Sequence, residues 1–586
     1  MATEQTIGSI LAVDCGAVLT KAVLLDRVSG SYRFIARGEA LTTVKAPWLD
    51  IAVGVQHAIE QIEDITGRTL LDAGHHIITP QRDGGIGVDV FVAVGSAARP
   101  VRVILAGLVP EMSLSSAARA VAGTYSAVEG VIIQEPRRRM SSEEQVHLIL
   151  HSQPDVVCIT GGTDGGAALP VLELVEMAAL AYSMMEEERR PRLVFAGNAA
   201  LRERVVEIAS GIAEIHAVEN VRPALDLENL NGVRVELDSL YRTQHLGRLP
   251  GVEMLTDWSH MPLIPSAEAF SRLVQYLWYL DESPKGTLGI DLGAVNTTIA
   301  AVFGGRLYVT IRGDLGAVQG GRRILARRGH ESIARWMPLP ITPEQLLGNL
   351  LNREVRPSTV PQKPEELWLE QAVARETIRD ALQTARPGWQ PDSAQLYRQM
   401  MPLFDPIVVS GGVLAGAPRP GQVALMILDA VEPIGVSTLL VDANGLAPVL
   451  GAVAMVKPAA TVEALDNGAI INLATAICPV GVARKGDLVL RVRVHYQEGG
   501  GTLEVEVPYG SLEVLPLPAG QEAVLELQPL RHFDVGLGGP GKGGKRRVHG
   551  GLVGLIVDAR GRPLQLPHTP VERQAQVQQW LWDIGG

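Results

Sequence analysis

Asp14-Cys15-Gly16 and Asp291-Leu292-Gly293 each end an apolar run. The surrounding stretches, Leu11-Ala-Val-Asp-Cys-Gly-Ala-Val-Leu-Thr20 and Leu288-Gly-Ile-Asp-Leu-Gly-Ala-Val-Asn-Thr297, agree at six of ten positions with an offset of 277. An Asp-x-Gly turn between two strands can lay backbone N–H groups against phosphate while its carboxylate orients a magnesium ion through water. Two such turns facing one cleft would hold the phosphates of one nucleotide from both sides. The alternative is a pair of ordinary β-turns, where Asp and Gly are common because they tolerate the geometry; recurrence at matching positions favours the phosphate reading. A third run, Ile407-Val-Val-Ser410-Gly411-Gly412, carries an apolar strand into Gly-Gly, which suits close approach to a ribose or an adenine.

The elements that must position these turns recur as well. After each Asp-x-Gly a second β-rich run leads through a turn, Ser29-Gly30 or Gly304-Gly305, to a third strand near 32–37 or 307–312. Each half thus opens with an antiparallel meander, and helical spacing follows: Ile51, Val55, Ile59 and Ile62 in the first half, Pro364 to Ala385 in the second. Between the halves, Ser141-Ser-Glu-Glu144 reads as a capping box. Strand, Gly-rich turn and helix then alternate through 156–218, which predicts a small inserted parallel sheet. Beyond Lys457 the alternation of Leu488 to His495, the loop Glu498-Gly-Gly-Gly-Thr502 and the run Leu503 to Val507 predict a hairpin. A last helix is expected over 571–583. The expected organisation is α/β, a duplicated fold with an inserted small parallel α/β domain and a β-rich C-terminal domain, divided as 1–140, 141–285, 286–456 and 457–586.

Length and composition fit that plan. A chain of 586 residues suggests about four structural units, and 46% hydrophobic with 20% charged residues supplies packed cores rather than disorder. A net charge of −12 disfavours a general nucleic-acid surface. Apolar stretches such as Leu446 to Val456 fall short of the roughly 20 residues of a membrane helix, and no secretory signal is expected at the N-terminus. Cys15, Cys158 and Cys478 are widely spaced and odd in number, which fits neither a disulfide framework nor a zinc site and points to a reducing cytoplasm.

Together the three glycine runs resemble the actin-like ATPase superfamily of sugar kinases, actins and large heat-shock chaperones. In that resemblance 14–21 is the first phosphate loop, 291–298 the second and 408–412 the adenosine loop. Closer still is the resemblance to the glutamate mutase accessory family called MutL, unrelated to the mismatch-repair protein of similar name. It is carried by Gly161-Gly162-Thr163-Asp164-Gly165-Gly166, by Ala196-Gly-Asn198 and by Val218-Glu-Asn-Val-Arg-Pro223, and covers roughly residues 8 to 456. The resemblance implies ATP and magnesium as cofactors. It implies a nucleotide site of Asp14, Gly16, Thr20, Lys21, Asp291, Gly293, Asn296, Thr297, Ser410, Gly411 and Gly412, with Asp14 and Asp291 meeting magnesium through water. It further implies a cytoplasmic partner of an adenosylcobalamin-dependent mutase subunit, protecting or reactivating it by cofactor exchange. Three departures from the family pattern weaken hydrolysis. Ala17-Val18 stands where the pattern has Ser-Thr, Ala294 where it has Gly, and Thr298 where it has Asp. A weak ATPase at most is expected. The alternative is a degenerate actin-like scaffold or filament-forming protein that self-associates.

Other signals are read more blandly. The run Gly536 to Gly543 imitates a P-loop but lacks the Ser or Thr after Lys542. With Lys545, Arg546 and Arg547 it is read as a solvent loop of a separate β domain that could dock an acidic surface, a second copy included. His147 and His151 share a helical face without a third ligand and are read as packing or surface residues. The turn Gly161 to Gly166 at a helix start could bind an anion or could be purely structural. Trp580 and Trp582 are expected to anchor the last helix.

Overall fold

In the computed structural model, which describes residues 7–135, 137–259, 261–280, 284–390 and 400–586, the apolar run Ser9–Cys15 is a buried strand. It pairs antiparallel with Leu19–Val28, so that Asp14 stands opposite Lys21 and Cys15 opposite Thr20. The chain reverses through Ser29 and Gly30, both at positive φ (55° and 89°), into Ser31–Leu41. Strand Val90–Gly95 joins the other edge of Ser9–Cys15 in parallel, followed by the short Ile264–Pro265. Helix Ile51–Thr66 covers this sheet because Ile51, Val55, Ile59 and Ile62 line one face. Asp50 caps it by accepting from the Ala52 N–H, and Gly67 in the left-handed region ends it.

The second half repeats the plan. Gly286–Leu292 pairs antiparallel with Thr297–Phe303, Asp291 opposite Thr298, and Arg306–Arg312 follows; Phe404–Ser410 then lies parallel to Gly286–Leu292, Ser410 beside Asp291. The order third, second, first, fourth strand is the same in both sheets, which makes the protein a duplicated actin-like fold. Here the sheet runs on through Gly435–Val441, Ile471–Cys478, Gly554–Asp558 and Leu512–Leu515 to eight strands. Phe270 and Val274 of helix Ser266–Leu280, with Leu450 of helix Ala447–Val456, share one apolar core with Ile10 and Val92 of the first sheet and Val302 and Val408 of the second.

By contacts the chain forms two units, Met1–Ala97 with Pro250–Val309 and Leu315–Gly586 in one, and Ala98–Leu249 with Thr310–Asp314 in the other. The second unit holds a five-stranded parallel sheet in the order Ser126–Ile133, Val101–Gly107, Val156–Ile159, Arg192–Phe195, Ile215–Ala217. Its first two strands lie before residue 141 and carry no Gly-rich turn to mark them. The capping box at Ser141 and Glu144 is formed.

In the C-terminal part, Leu488–Tyr496 pairs with Thr502–Pro508 and with Glu522–Pro529, and Gly544–His549 completes a four-stranded antiparallel sheet. The expectation of a basic solvent loop is corrected here. Lys545, Arg546 and Arg547 lie on a strand; Arg546 is ion-paired with the buried Asp405, and Arg547 with Glu522. The alternation of that strand was masked in the sequence by the glycines before it. Nor is the C-terminal part a separate sheet throughout, since Leu512–Leu515 and Gly554–Asp558 extend the eight-stranded one. All three cysteines are free and buried, and no helix among the described residues is long and apolar enough to cross a membrane.

Candidate functional site

The two Asp-x-Gly turns have the same local geometry. Gly16 donates its N–H to the Leu19 carbonyl at 3.1 Å, and a Cβ on Gly16 would lie 2.8 Å from that oxygen; a Cβ on Gly293 would lie 2.9 Å from the carbonyl of the equivalent Asn296. Any larger residue at either position would push the turn open, so glycine keeps each turn folded on itself. Thr20 and Thr297 occupy matching places inside. The Thr20 hydroxyl meets that of Thr42 at 2.9 Å, Thr42 bonds the Gly16 carbonyl at 2.7 Å, and the Thr297 hydroxyl donates to the Leu315 carbonyl at 2.7 Å. Both threonines brace the turns from behind.

In front of the turns lies a cavity of about 950 Å³, within the range of sites for nucleotide-sized ligands. Asp14, Gly16, Lys21, Asp291, Gly293, Asn296, Ser410, Gly411 and Gly412 all line it; Thr20 and Thr297 do not. Two further groups shape the site, neither legible from the turns themselves. The Ser266 hydroxyl, at the start of helix Ser266–Leu280, donates to Asp14 Oδ1 at 2.8 Å. Buried Asp442 accepts from the Ser410 hydroxyl at 2.9 Å and from the N–H groups of Leu446 and Ala447 at 2.7 and 2.8 Å, capping helix Ala447–Val456. The sequence signal was present for Asp442: the apolar run Leu439-Leu-Val441 enters Asp-Ala-Asn-Gly445, another strand followed by a glycine turn. Lys21 extends to that turn, since a Cβ on Gly445 would sit 2.7 Å from its Nζ.

The carboxylates act on one another. Burial raises the Asp14 carboxyl, Lys21 and the Ser266 hydroxyl draw it back down, and Asp442 adds to the rise. Asp291 is pushed up to about 7, chiefly by burial and then by the negative charge of Asp14, with Lys21 opposing. Electrostatically the site is a group of carboxylates relieved by one lysine, an environment that a cation would stabilise.

Gly411 sits at φ 110°, and a Cβ there would fall 2.1 Å from the Leu292 carbonyl; at Gly412 a Cβ would meet nothing within 4 Å. The first glycine therefore locks the Gly-Gly run onto the strand that carries Asp291, and the second leaves open space in the cavity wall. Gly411→Ala is expected to cost about 1–3 kcal/mol of stability and to displace the run from the cavity. A melting temperature equal to wild type would show that the run can shift without strain.

These residues fit a nucleoside triphosphate with its magnesium. The glycine turns leave backbone open to phosphate, Lys21 supplies a positive charge, and two half-buried carboxylates face the same cavity. Among the described residues no group of three or more His, Cys, Asp or Glu is placed to hold a metal ion.

The turn Gly161 to Gly166 lies in the other unit, and its polar groups are used within the protein. Asn198 Oδ1 accepts from the N–H groups of Gly165 and Ala200 at 2.9 and 3.1 Å. Asp164 Oδ1 accepts from the Ala199 N–H and from Asn220 Nδ2, both at 2.9 Å, and Asn220 Nδ2 also reaches the Gly162 carbonyl at 2.9 Å. Thr163 closes the turn through its carbonyl, which accepts from the Gly166 N–H at 2.8 Å. The Asn220 hydrogen bond and then the Ala199 N–H hold the Asp164 carboxyl below the usual range. The side chains of Asn198 and Asn220, from the turns after the next two strands, thus clasp the glycine turn. His147 and His151 stack on each other on the surface, ring centres 3.6 Å apart.

Comparison with known proteins adds the family. A curated relative, Protein MutL of Clostridium tetanomorphum, is 24% identical over 311 residues, 52% of this chain and 60% of the relative, so the chain covers less than two thirds of its length. Among solved structures, a glycerol dehydratase reactivase is similar at 13% identity and a TM-score of 0.29, covering 77% of this chain and 100% of that one. Component A of the (R)-2-hydroxyglutaryl-CoA dehydratase of Acidaminococcus fermentans is similar at 9% identity and a TM-score of 0.27, covering 78% and 100%. The family model described as MutL protein matches residues 10–468, through both glycine turns, the Gly-Gly run and the clasp, and the chain belongs to that family.

Proposed function

We propose that the protein is an ATP-binding accessory factor of an adenosylcobalamin-dependent mutase of the glutamate mutase kind, which grips or releases a mutase subunit according to whether nucleotide fills the cleft. The observation that carries the nucleotide reading is the convergence of two matching Asp-x-Gly turns, the Gly411-Gly412 run and Lys21 on one cavity. Membership of the MutL family supports the mutase as partner.

In this reading the backbone of 16–19 and 293–296 binds the phosphates, and Lys21 pairs with their charge from the first half while reaching the Gly445 turn of the second. Asp14 and Asp291 would hold a magnesium ion through water, and the ion would offset phosphate charge. Ser266 holds Asp14 in position, and Ser410, fixed by Asp442, stands beside Asp291. Because Ala17 and Val18 offer no hydroxyls and Ala294 adds a methyl group to the second turn, turnover is slow, below the roughly 1 s⁻¹ at which ordinary enzymes begin.

Calorimetry of the purified protein with magnesium and ATP tests the reading, with a dissociation constant below 1 mM, equivalent to about −4 kcal/mol or better, as the expected result. No binding at millimolar ATP would remove it. Co-sedimentation with the cobalamin-binding subunit of a mutase, with and without ATP, tests the partner. Discrete complexes that change with nucleotide are expected; filaments of the protein alone would favour a scaffold.

A further inference from the structure

The helix Pro570–Asp583 carries two indoles in opposite surroundings. Trp580 is 4% exposed and lies under the Arg560 guanidinium, 4.4 Å from it, with Val577 and Ile584 buried beside it. Trp582 is 83% exposed, so packing gains little from the ring, and the expectation that both indoles anchor the helix holds only for Trp580. Yet Trp582 and its neighbour Leu581 line the same cavity as the glycine turns.

The end of this helix is fixed beside the segment that follows Gly411-Gly412. That segment lines the cavity through Gly416, Pro418 and Arg419. Arg419 Nη1 donates to the Gly586 carbonyl at 3.0 Å, and Gly421 is so close to the Ile584 carbonyl that a Cβ would lie 2.0 Å from it. A triphosphate held between the two turns with its base along the Gly-Gly run meets this end of the cavity. An indole 83% exposed on an anchored helix there offers a π face for stacking.

We infer that Trp582 is the base platform of the nucleotide site, stacking on the ring of the bound nucleotide; this rests on the nucleotide reading above. It lies outside the residues 10–468 matched by the family model, so the C-terminal part of this chain completes a site whose phosphate end belongs to the family-matched part. Stacking uses a face that every base possesses, so Trp582 strengthens binding of nucleotides as a class rather than choosing among bases.

The experiment is calorimetry of wild type, Trp582→Ala and Trp582→Phe with the magnesium complexes of ATP, GTP and inorganic tripolyphosphate. Trp582→Ala is expected to weaken ATP and GTP alike, by roughly 5- to 150-fold, and to leave tripolyphosphate unchanged; Trp582→Phe keeps most of the affinity. The melting temperature of both variants should equal that of wild type, because the ring is exposed. The inference is overturned if Trp582→Ala binds ATP like wild type, or if it weakens tripolyphosphate by the same factor as ATP. Should wild type bind neither ATP nor tripolyphosphate, the nucleotide reading itself fails and the platform with it, an outcome distinct from an unaffected variant of an ATP-binding protein.

Discussion

Asp558→Asn is expected to lower the unfolding free energy by about 3–5 kcal/mol, because it leaves buried guanidinium groups without their counter-charge. Asp558 is fully buried at the end of strand Gly554–Asp558. Its Oδ1 accepts from Arg560 Nε at 2.9 Å, and its Oδ2 accepts from Arg560 Nη2 at 2.9 Å and Arg562 Nη2 at 2.7 Å. Arg560 continues to Asp429 Oδ1 at 2.9 Å, and Arg375 donates to Asp429 Oδ2 at 2.8 Å. Three arginines thus share two carboxylates, and the amide would leave them with one. Burial alone would raise the Asp558 carboxyl, but Arg560 and Arg562 outweigh it and hold it well below the usual carboxylate range. With its folded value lowered, the group contributes fully above the ordinary carboxylate value near 4 and loses its contribution only as the pH falls far below it. Urea unfolding at neutral pH measures the loss as a lower midpoint, and a drop under about 1 kcal/mol would mean that the arginines relax to solvent. Since Arg560 also lies over Trp580, the variant should loosen the helix that bears Trp582.

The second large effect concerns Asp291. Replacing it with Asn should weaken binding of the magnesium complex of ATP by roughly 10- to 100-fold, the range for a hydrogen bond to a charged group. The substitution should also flatten the pH dependence. In wild type, burial and then the charge of Asp14 push the carboxyl up to about 7. It carries a proton below that pH and a charge above it, so affinity at saturating magnesium rises with pH through neutrality. The Asn variant retains the pH dependence of the nucleotide and of Asp14, and the difference between the two profiles reports the loss of Asp291 together with its coupling to Asp14. The raised value also bears on stability. Its contribution is full below the ordinary carboxylate value and is lost as the pH rises through about 7. The unliganded protein is therefore weakened by this group at pH 8 relative to pH 5, and ATP with magnesium should raise the melting temperature more at the higher pH. Identical profiles for wild type and Asp291→Asn would show that the second turn is structural only.

What the sequence disclosed was governed by how local the signal is. The strand into Asp14, the hairpin at Gly30 and the helix Pro364–Ala385 are each specified by residues within one element, by alternation, turn chemistry or spacing near 3.6. All three are found where those patterns lie. The duplication added a long-range fact, because matching turns must occupy matching places in matching sheets. Groups joined only by the tertiary fold stayed hidden. Ser266 is 252 positions from Asp14, and nothing in its own helix marks it. Trp582 looked like an anchor because spacing cannot distinguish a ring turned into a core from one left open. Thr20 and Thr297 have hydroxyls of a type suited to phosphate, but those hydroxyls bond to Thr42 and to the Leu315 carbonyl behind the turns. Arg546 read as loop because Gly541-Lys-Gly-Gly544 hides the start of its strand, while its partner Asp405 is 141 positions away.

The clasp around Gly161 to Gly166 has a consequence for how relatives of this chain are recognised. The most distinctive string in the sequence is held by Asn198 and Asn220, in a unit that contains neither Asp14 nor Asp291. The hydrogen bonds that hold the string join three loops of that one unit. A chain recognised by Gly-Gly-Thr-Asp-Gly-Gly and Ala-Gly-Asn is therefore recognised by this joint, whereas the proposed nucleotide site is read from Asp14, Lys21, Asp291 and the pair Gly411-Gly412.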